Sequence, residues 1–122
     1  MLPSTIEACP DALWDREDDH NAFWVLAYHT LYFAPFEREV SGRPGYGKTD
    51  LGDWTELQLG DTYSKADVLA YCDLVDGLVV DLAGSAPFDA ASGFHWLPFS
   101  RGEAHLYNLR HIQHHAGQLA ER

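Results

Sequence analysis

The part of the sequence that most constrains the fold is its last segment, residues 100–122, which predicts a long helix. Ser100 and Glu103 have the Ser-x-x-Glu spacing of a capping box, and no proline follows them. On a helical wheel His111 and His115 lie about 40° apart, on the face that also carries apolar residues. A bundle helix normally places leucines on that inward face. Any fold of this chain must therefore accommodate two inward imidazoles.

Two further segments carry the apolar spacing of helices. Residues 20–39 follow Asp18 and Asp19, which are candidate N-caps. Pro35 should kink this helix or end it near Phe33. Residues 64–84 begin with a second capping pattern. Gly77 lies inside that helix, where glycine costs about 1 kcal/mol relative to alanine, so we expect a close packing contact there.

The rest of the chain predicts short helices and loops. Residues 4–8 and 11–14 suit single helical turns, with Trp14 in the core. Residues 48–63 predict a long ordered loop anchored by Trp54 and Leu57, or a short hairpin. Residues 85–99 predict an aromatic loop folded back over the helices. The predicted class is all-α, with three main helices and long loops in one domain over residues 1–122.

The charge balance excludes several classes of function. The chain carries 8 basic and 19 acidic residues, a formal net charge of −11, which would repel nucleic acid and anionic membranes. No apolar run reaches the roughly 18–20 residues that span a bilayer. Cys9 and Cys72 form neither a CxxC motif nor a disulfide framework, and the N-terminus lacks a signal-peptide pattern. We therefore expect a cytoplasmic protein.

His29 adds a third imidazole to the apolar faces. It lies mid-helix among Leu26, Val25 and Phe33, where its nitrogens need partners. If the two helices meet, His29, His111 and His115 converge. Three histidines with an open fourth position are a common set of ligands for catalytic zinc, and nickel and iron also accept imidazole. The spacing matches an H-E-x-x-H helix, but the residues between the pair include no glutamate to act as a general base.

Each histidine also has an ordinary structural interpretation. A single inward histidine is usually hydrogen-bonded in the core, and isolated HxxxH pairs arise by chance on surface helices. Three inward histidines on two helices favour a metal. His105 could support the site or be structural, and His95 could cap it or simply bind backbone. Asn108 could line a pocket or make an interhelical hydrogen bond.

The segments LAYHTLYF and FHWLPFSRGEAHLYNLRHIQHHAGQL resemble the DinB-like superfamily of metal-binding four-helix bundles. The resemblance implies an up-down bundle and a metal triad of one histidine from the second helix and an HxxxH pair from the last. These positions correspond to His29, His111 and His115. The long first helix of that superfamily is absent here, so the fourth helix is short or comes from a partner chain. A homodimer is therefore expected.

The resemblance implies an enzyme in which a divalent metal, zinc or nickel, activates a thiol or water acting on a small-molecule substrate. Thiol S-transferase, isomerase and hydrolase reactions all remain open, and a low-molecular-weight thiol is a possible cosubstrate. The alternative is a non-catalytic metal-binding or structural bundle that acts through oligomerisation. The two differ in whether the metal keeps an open coordination position beside a pocket.

Overall fold

The structure, a computed structural model, describes residues 1–16, 21–34, 62–84, 87–92 and 98–122. In these residues the chain forms five helices and no strand, which confirms the all-α class. The helices are α1 (Leu2–Ala8), α2 (Asp11–Trp14), α3 (Phe23–Phe33), α4 (Lys65–Ala83) and α5 (Arg101–Ala120). A single antiparallel bridge, between Ala91 and Ser100, joins the segment before α5 to its start.

Both predicted capping boxes are present. The Ser64 hydroxyl accepts from the Asp67 amide while the Asp67 carboxylate accepts from the Ser64 amide. Ser100 and Glu103 form the same reciprocal pair at the start of α5. Each box satisfies backbone N–H groups that the first helical turn leaves without partners, so each helix begins at a defined residue.

α3 lies at the centre of the packing, in contact with both α4 and α5, while α1 packs on α4 and α5 and α2 packs on α3. The core therefore contains side chains from all five helices. Tyr28 of α3 and Tyr71 of α4 are among its largest fully buried side chains, with ring centroids 5.5 Å apart. The up-down topology, the source of the fourth helix and the homodimer stay predictions.

The N-terminal segment is held by specific polar contacts. Trp14 is buried, as expected, and its indole N–H donates to the Tyr63 carbonyl at 2.8 Å. The Lys65 ammonium donates to the Cys9 carbonyl at 2.6 Å and pairs with Asp11 at 2.9 Å. The first residues of α4 are therefore tied to both short helices, which fixes α1 against the bundle.

Two local expectations do not hold for the described residues. α3 begins at Phe23 with Ala22 as its N-cap, and not at residue 20 as the sequence predicted. Gly77 is exposed, and a Cβ placed there would meet nothing within 4 Å among the described residues. In this part of the chain Gly77 therefore weakens α4 without the predicted packing contact.

Some predictions fall outside the described residues. They concern the loop anchors Trp54 and Leu57, the effect of Pro35 on its helix, and the role of His95. Within the described part of the chain, no helix has the length and apolar character required to cross a bilayer.

Candidate metal centre

The packing of α3 on α5 brings together three histidine rings. The Nε2 atom of His111 lies 3.3 Å from Nε2 of His29 and 3.0 Å from Nε2 of His115. One ring nitrogen from each residue falls within a mutual distance of 4.8 Å, and among the described residues no further histidine, cysteine or acidic side chain joins the group. These three residues form what we call the triad, and the predicted convergence is present.

The triad spacing fits a metal ion. Imidazole nitrogens that bind tetrahedral zinc at about 2.0–2.1 Å stand about 3.3–3.4 Å apart. The observed separations of 3.0 and 3.3 Å are close to that value. Three converging nitrogens leave at least one coordination position of a tetrahedral ion for a ligand from outside the triad, which water, a substrate or a further protein side chain can fill.

Gln118 sets which nitrogen of His115 faces the centre. The Nδ1 atom of His115 lies 2.7 Å from the Gln118 side-chain oxygen, which can only accept a hydrogen bond. The proton of the neutral ring is therefore on Nδ1, and Nε2 presents its lone pair toward His111. Hydrogen bonds of this kind orient metal-binding histidines and make the ligating nitrogen more basic.

Without a cation the triad cannot satisfy all its contacts. A neutral imidazole has one N–H and one lone pair. His111 Nε2 lies within hydrogen-bond reach of two other ring nitrogens, those of His29 and His115, but it carries at most one proton. Lone pairs brought this close repel one another. A cation at the centre would accept all three lone pairs at once, so the donor set suits a metal better than a hydrogen-bonded core.

The environment keeps the triad available for metal. Burial, reinforced by the nearby His115 and His111 rings, lowers the pKa of His29 from 6.5 to about 4. Burial also lowers the pKa of His111, with smaller contributions from His115 and His114. Both rings are therefore neutral at pH 7, the form that binds a metal without first losing a proton.

Phe33 forms an apolar wall beside the triad. Its ring centroid lies 5.0 Å from that of His29 and 5.8 Å from that of His111, edge to face in both cases. The phenyl ring is 39% exposed, while the three histidines are half-buried. The site is therefore shielded on one side and still reachable from outside.

Asn108 makes the interhelical hydrogen bond that was one of its two interpretations. Its amide nitrogen donates to the carbonyl of Ala34, at the end of α3, at 2.7 Å. The side chain is buried one turn before His111. It therefore fixes the register of α5 against α3, which decides whether the histidines on the two helices meet.

Two further histidines lie in the described part of the chain, and neither joins the triad. His105 contacts the ring of Phe88, with centroids 6.2 Å apart, and lies six residues before His111, about 9 Å along the helix. His114 is exposed and does not belong to the triad. A supporting role for His105 stays a prediction, and His95 lies outside the described residues.

From the sequence, Gln118 was not identified as a contact of the triad, and Phe33 was treated only as an apolar neighbour of His29. Gln118 lies three residues after His115 on the same helix, the spacing at which side chains are neighbours, so the signal was present. Phe33 lies four residues after His29. Both residues lie one helical turn after a candidate ligand, so their contact with the triad was predictable from spacing.

No protein-family model, no curated protein and no solved structure matches this chain. The resemblance to the DinB-like superfamily therefore stays a prediction. The case for a metal centre depends on the geometry of His29, His111 and His115, and on the contact that orients His115.

Proposed function

We propose that this protein is a metal-dependent enzyme whose triad holds one divalent cation, zinc or nickel. The observation that carries the proposal is the convergence of three Nε2 atoms, at 3.0 and 3.3 Å, from two helices. Imidazole ligands suit both metals. His29 and His111 are neutral at pH 7 because burial lowers their pKa values, so binding needs no prior deprotonation.

A bound divalent cation would supply Lewis acidity, which lowers the pKa of water or a thiol toward neutrality. The protein residues supply orientation and shielding. Gln118 holds the Nδ1 proton of His115 and so aims its Nε2 atom at the centre. Phe33 excludes water from one side of the site. A dry wall beside a charged centre strengthens electrostatic interactions with a substrate.

The choice among thiol transfer, isomerisation and hydrolysis rests on the superfamily resemblance rather than on a contact. We propose a low-molecular-weight thiol or water as the activated group and a small electrophile as the substrate. The acidic charge of the chain, −11, disfavours strongly anionic substrates unless a local cation attracts them. A metal at the triad would be such a cation.

The alternative is a non-catalytic metal site that only stabilises the α3–α5 packing. The triad is half-buried, and among the described residues no fourth protein ligand closes it. Structural zinc sites generally have four protein ligands. This difference favours the enzyme over the structural role.

The test is metal content and affinity in protein freed of metal and titrated with Zn²⁺, Ni²⁺ and Co²⁺. We expect one equivalent per chain, with a tetrahedral or five-coordinate Co²⁺ spectrum that changes when a small thiol is added. His111→Ala should lower affinity more than 100-fold, beyond the roughly 10–100-fold typical of losing a residue that only supports a ligand.

His114→Ala is the matched control, because His114 lies on the same helix but outside the triad. It should bind metal like the wild type. Substoichiometric binding by the wild type would refute the proposal, and equal loss in both variants would refute the ligand assignment. A Co²⁺ spectrum that never responds to thiol or anion would favour the structural role.

A further inference from the structure

A groove separate from the triad opens among α1, α3, α4 and α5, with a volume of about 400 Å³. Thr30 and Ile112 line it and directly follow His29 and His111 in sequence, yet none of the three histidines is among its lining residues. Its volume falls within the roughly 300–1,000 Å³ typical of small-molecule sites. It is large enough for a compact organic molecule.

The walls of the groove are mainly apolar. They are formed by Leu2 of α1, Leu31 of α3 and Ala34 directly after it, Val75 and Val79 of α4, and Ile112 of α5. Contact with these side chains favours a ligand with a hydrocarbon body, because removing apolar surface from water is the main gain available there.

Carboxylates predominate at the rim of the groove. Asp73 and Asp76 line it from one face of α4, and both are exposed. Among the lining residues that the structure describes, there is no Lys, Arg or His side chain, and the α-amino group of Met1 is the one basic group. Carboxylates therefore outnumber basic groups two to one in this lining, which favours a cationic ligand over an anionic one.

The other polar groups of the lining do not change this preference. The Thr30 hydroxyl donates to the Leu26 carbonyl at 2.8 Å, so its proton is already used. Burial, with Asp73 and Asp76 nearby, raises the pKa of the Cys72 thiol to about 11. The thiol is therefore protonated at neutral pH and acts as an apolar wall rather than as a nucleophile.

From this combination we propose that the groove binds a small organic cation, a primary amine carried on an apolar alkyl or aryl body. The body packs against the aliphatic walls and the ammonium group lies at the rim beside Asp73 and Asp76. A second copy of this chain is disfavoured as the occupant, because its net charge of −11 would meet the same carboxylates. The proposal does not depend on the metal centre.

The experiment compares three probes that share one hydrocarbon chain: octylamine, octanol and octanoate. Binding to the full chain is followed at pH 7 by NMR shifts of Val79 and Ile112 methyl groups. We expect octylamine to bind about fivefold more tightly than octanol, the gain expected of partly solvated ion pairs, and octanoate to bind more weakly than octanol. Equal affinities, tighter octanoate binding or no binding would overturn the proposal.

Charge variants test the rim. The double variant Asp73→Asn/Asp76→Asn should reduce octylamine affinity to that of octanol while leaving octanol binding unchanged. The control, Asp81→Asn/Asp89→Asn, removes two charges from exposed residues outside the groove. It should change octylamine binding less than twofold. Equal losses in the two double variants would show non-specific attraction to an acidic surface and would refute the assignment.

Adjacent valines test the walls. Val79→Trp should fill the groove and abolish binding of both octylamine and octanol. Val80→Trp places the same side chain at the next residue, which is exposed and does not line the groove, and should leave binding intact. If both or neither variant loses binding, the groove is not the site. Zn²⁺ affinity measured on the same variants should be unchanged, which separates failure of this proposal from failure of the metal centre.

Discussion

The contact between α3 and α5 has two unlike regions only one residue apart along each helix. His29 and His111 belong to the triad, whereas the next residues, Thr30 and Ile112, line the apolar groove. In the triad, the Nε2 atom of His111 lies 3.3 Å and 3.0 Å from the Nε2 atoms of the other two rings. A proton or a cation is needed to offset the repulsion between their lone pairs. The groove gathers aliphatic surface with carboxylates at its rim.

The difference teaches what each region can recognise. The triad has directional donors held by a hydrogen bond, so it should select a ligand by geometry and bind it tightly. The groove offers non-directional apolar contact and solvated charge, so it should bind weakly and tolerate variation in ligand shape. We therefore expect perturbations of the triad to have large effects and those of the groove to have small ones.

The largest expected effect comes from His29→Leu, and the neighbouring substitution Thr30→Val is its control. Metal at about 1,000 times its dissociation constant should stabilise the wild type by about 4 kcal/mol. His29→Leu should lose most of this stabilisation, because it removes one of the three ligands. It should also raise metal-free stability slightly, because it replaces a half-buried polar ring with an aliphatic chain. Thermal unfolding with and without Zn²⁺ measures both effects.

Thr30→Val keeps the volume of the side chain and changes a residue that lines the groove but does not belong to the triad. It should retain the full stabilisation by Zn²⁺. Loss of that stabilisation in Thr30→Val would show that the two regions are not separable, and its survival in His29→Leu would remove His29 from the ligand set.

A smaller effect is expected at Gln118, which contacts the triad without belonging to it. Gln118→Ala removes the acceptor 2.7 Å from His115 Nδ1, so the ring can rotate and change tautomer. Zn²⁺ affinity should fall about 10–100-fold, with stoichiometry unchanged. Competition against a chromophoric chelator measures the affinity.

Gln113→Ala is the matched control, since Gln113 is an exposed glutamine on the same helix. It should leave Zn²⁺ affinity unchanged. Gln118→Glu, which keeps an acceptor, should restore binding or strengthen it. A wild-type affinity in Gln118→Ala would mean that the packing of α5 alone orients His115.

The triad was predictable from sequence because the signal is local periodicity. His111 and His115 occupy an inward face together with Asn108 and Leu119, and His29 interrupts a strongly apolar helix. A polar residue in an apolar position is conspicuous on a helical wheel. Capping boxes were predictable for the same reason, since their spacing is fixed within one turn.

The groove was not predictable, because it is defined by space that four helices leave between them. Val75, Val79 and Ile112 appear in the sequence as ordinary core positions, and only the packing shows that they line a groove. The packing contact predicted at Gly77 was not found for a similar reason. A helical glycine suggests a close neighbour, but whether that neighbour exists depends on tertiary contacts.

The stability of the metal-free protein should depend on pH in opposite directions on the two sides. On the triad side, burial and the neighbouring rings lower the pKa of His29 from 6.5 to about 4. Between pH 6.5 and 4, His29 is protonated in the unfolded chain but stays neutral in the folded chain. Stability should therefore fall as the pH drops from 6.5 to 4. His29→Leu should reduce this decline without abolishing it, because burial also lowers the pKa of His111.

On the groove side, burial and two nearby aspartates raise the pKa of Cys72 from 9.0 to about 11. Above pH 9 the unfolded thiol loses its proton while the folded thiol keeps it, so stability should fall as the pH rises from 9 to 11. Cys72→Ala should flatten only this alkaline limb, and His29→Leu only the acid limb. Urea unfolding across both ranges tests the pair. If either substitution flattened both limbs, the two sides of the α3–α5 contact would be one coupled unit.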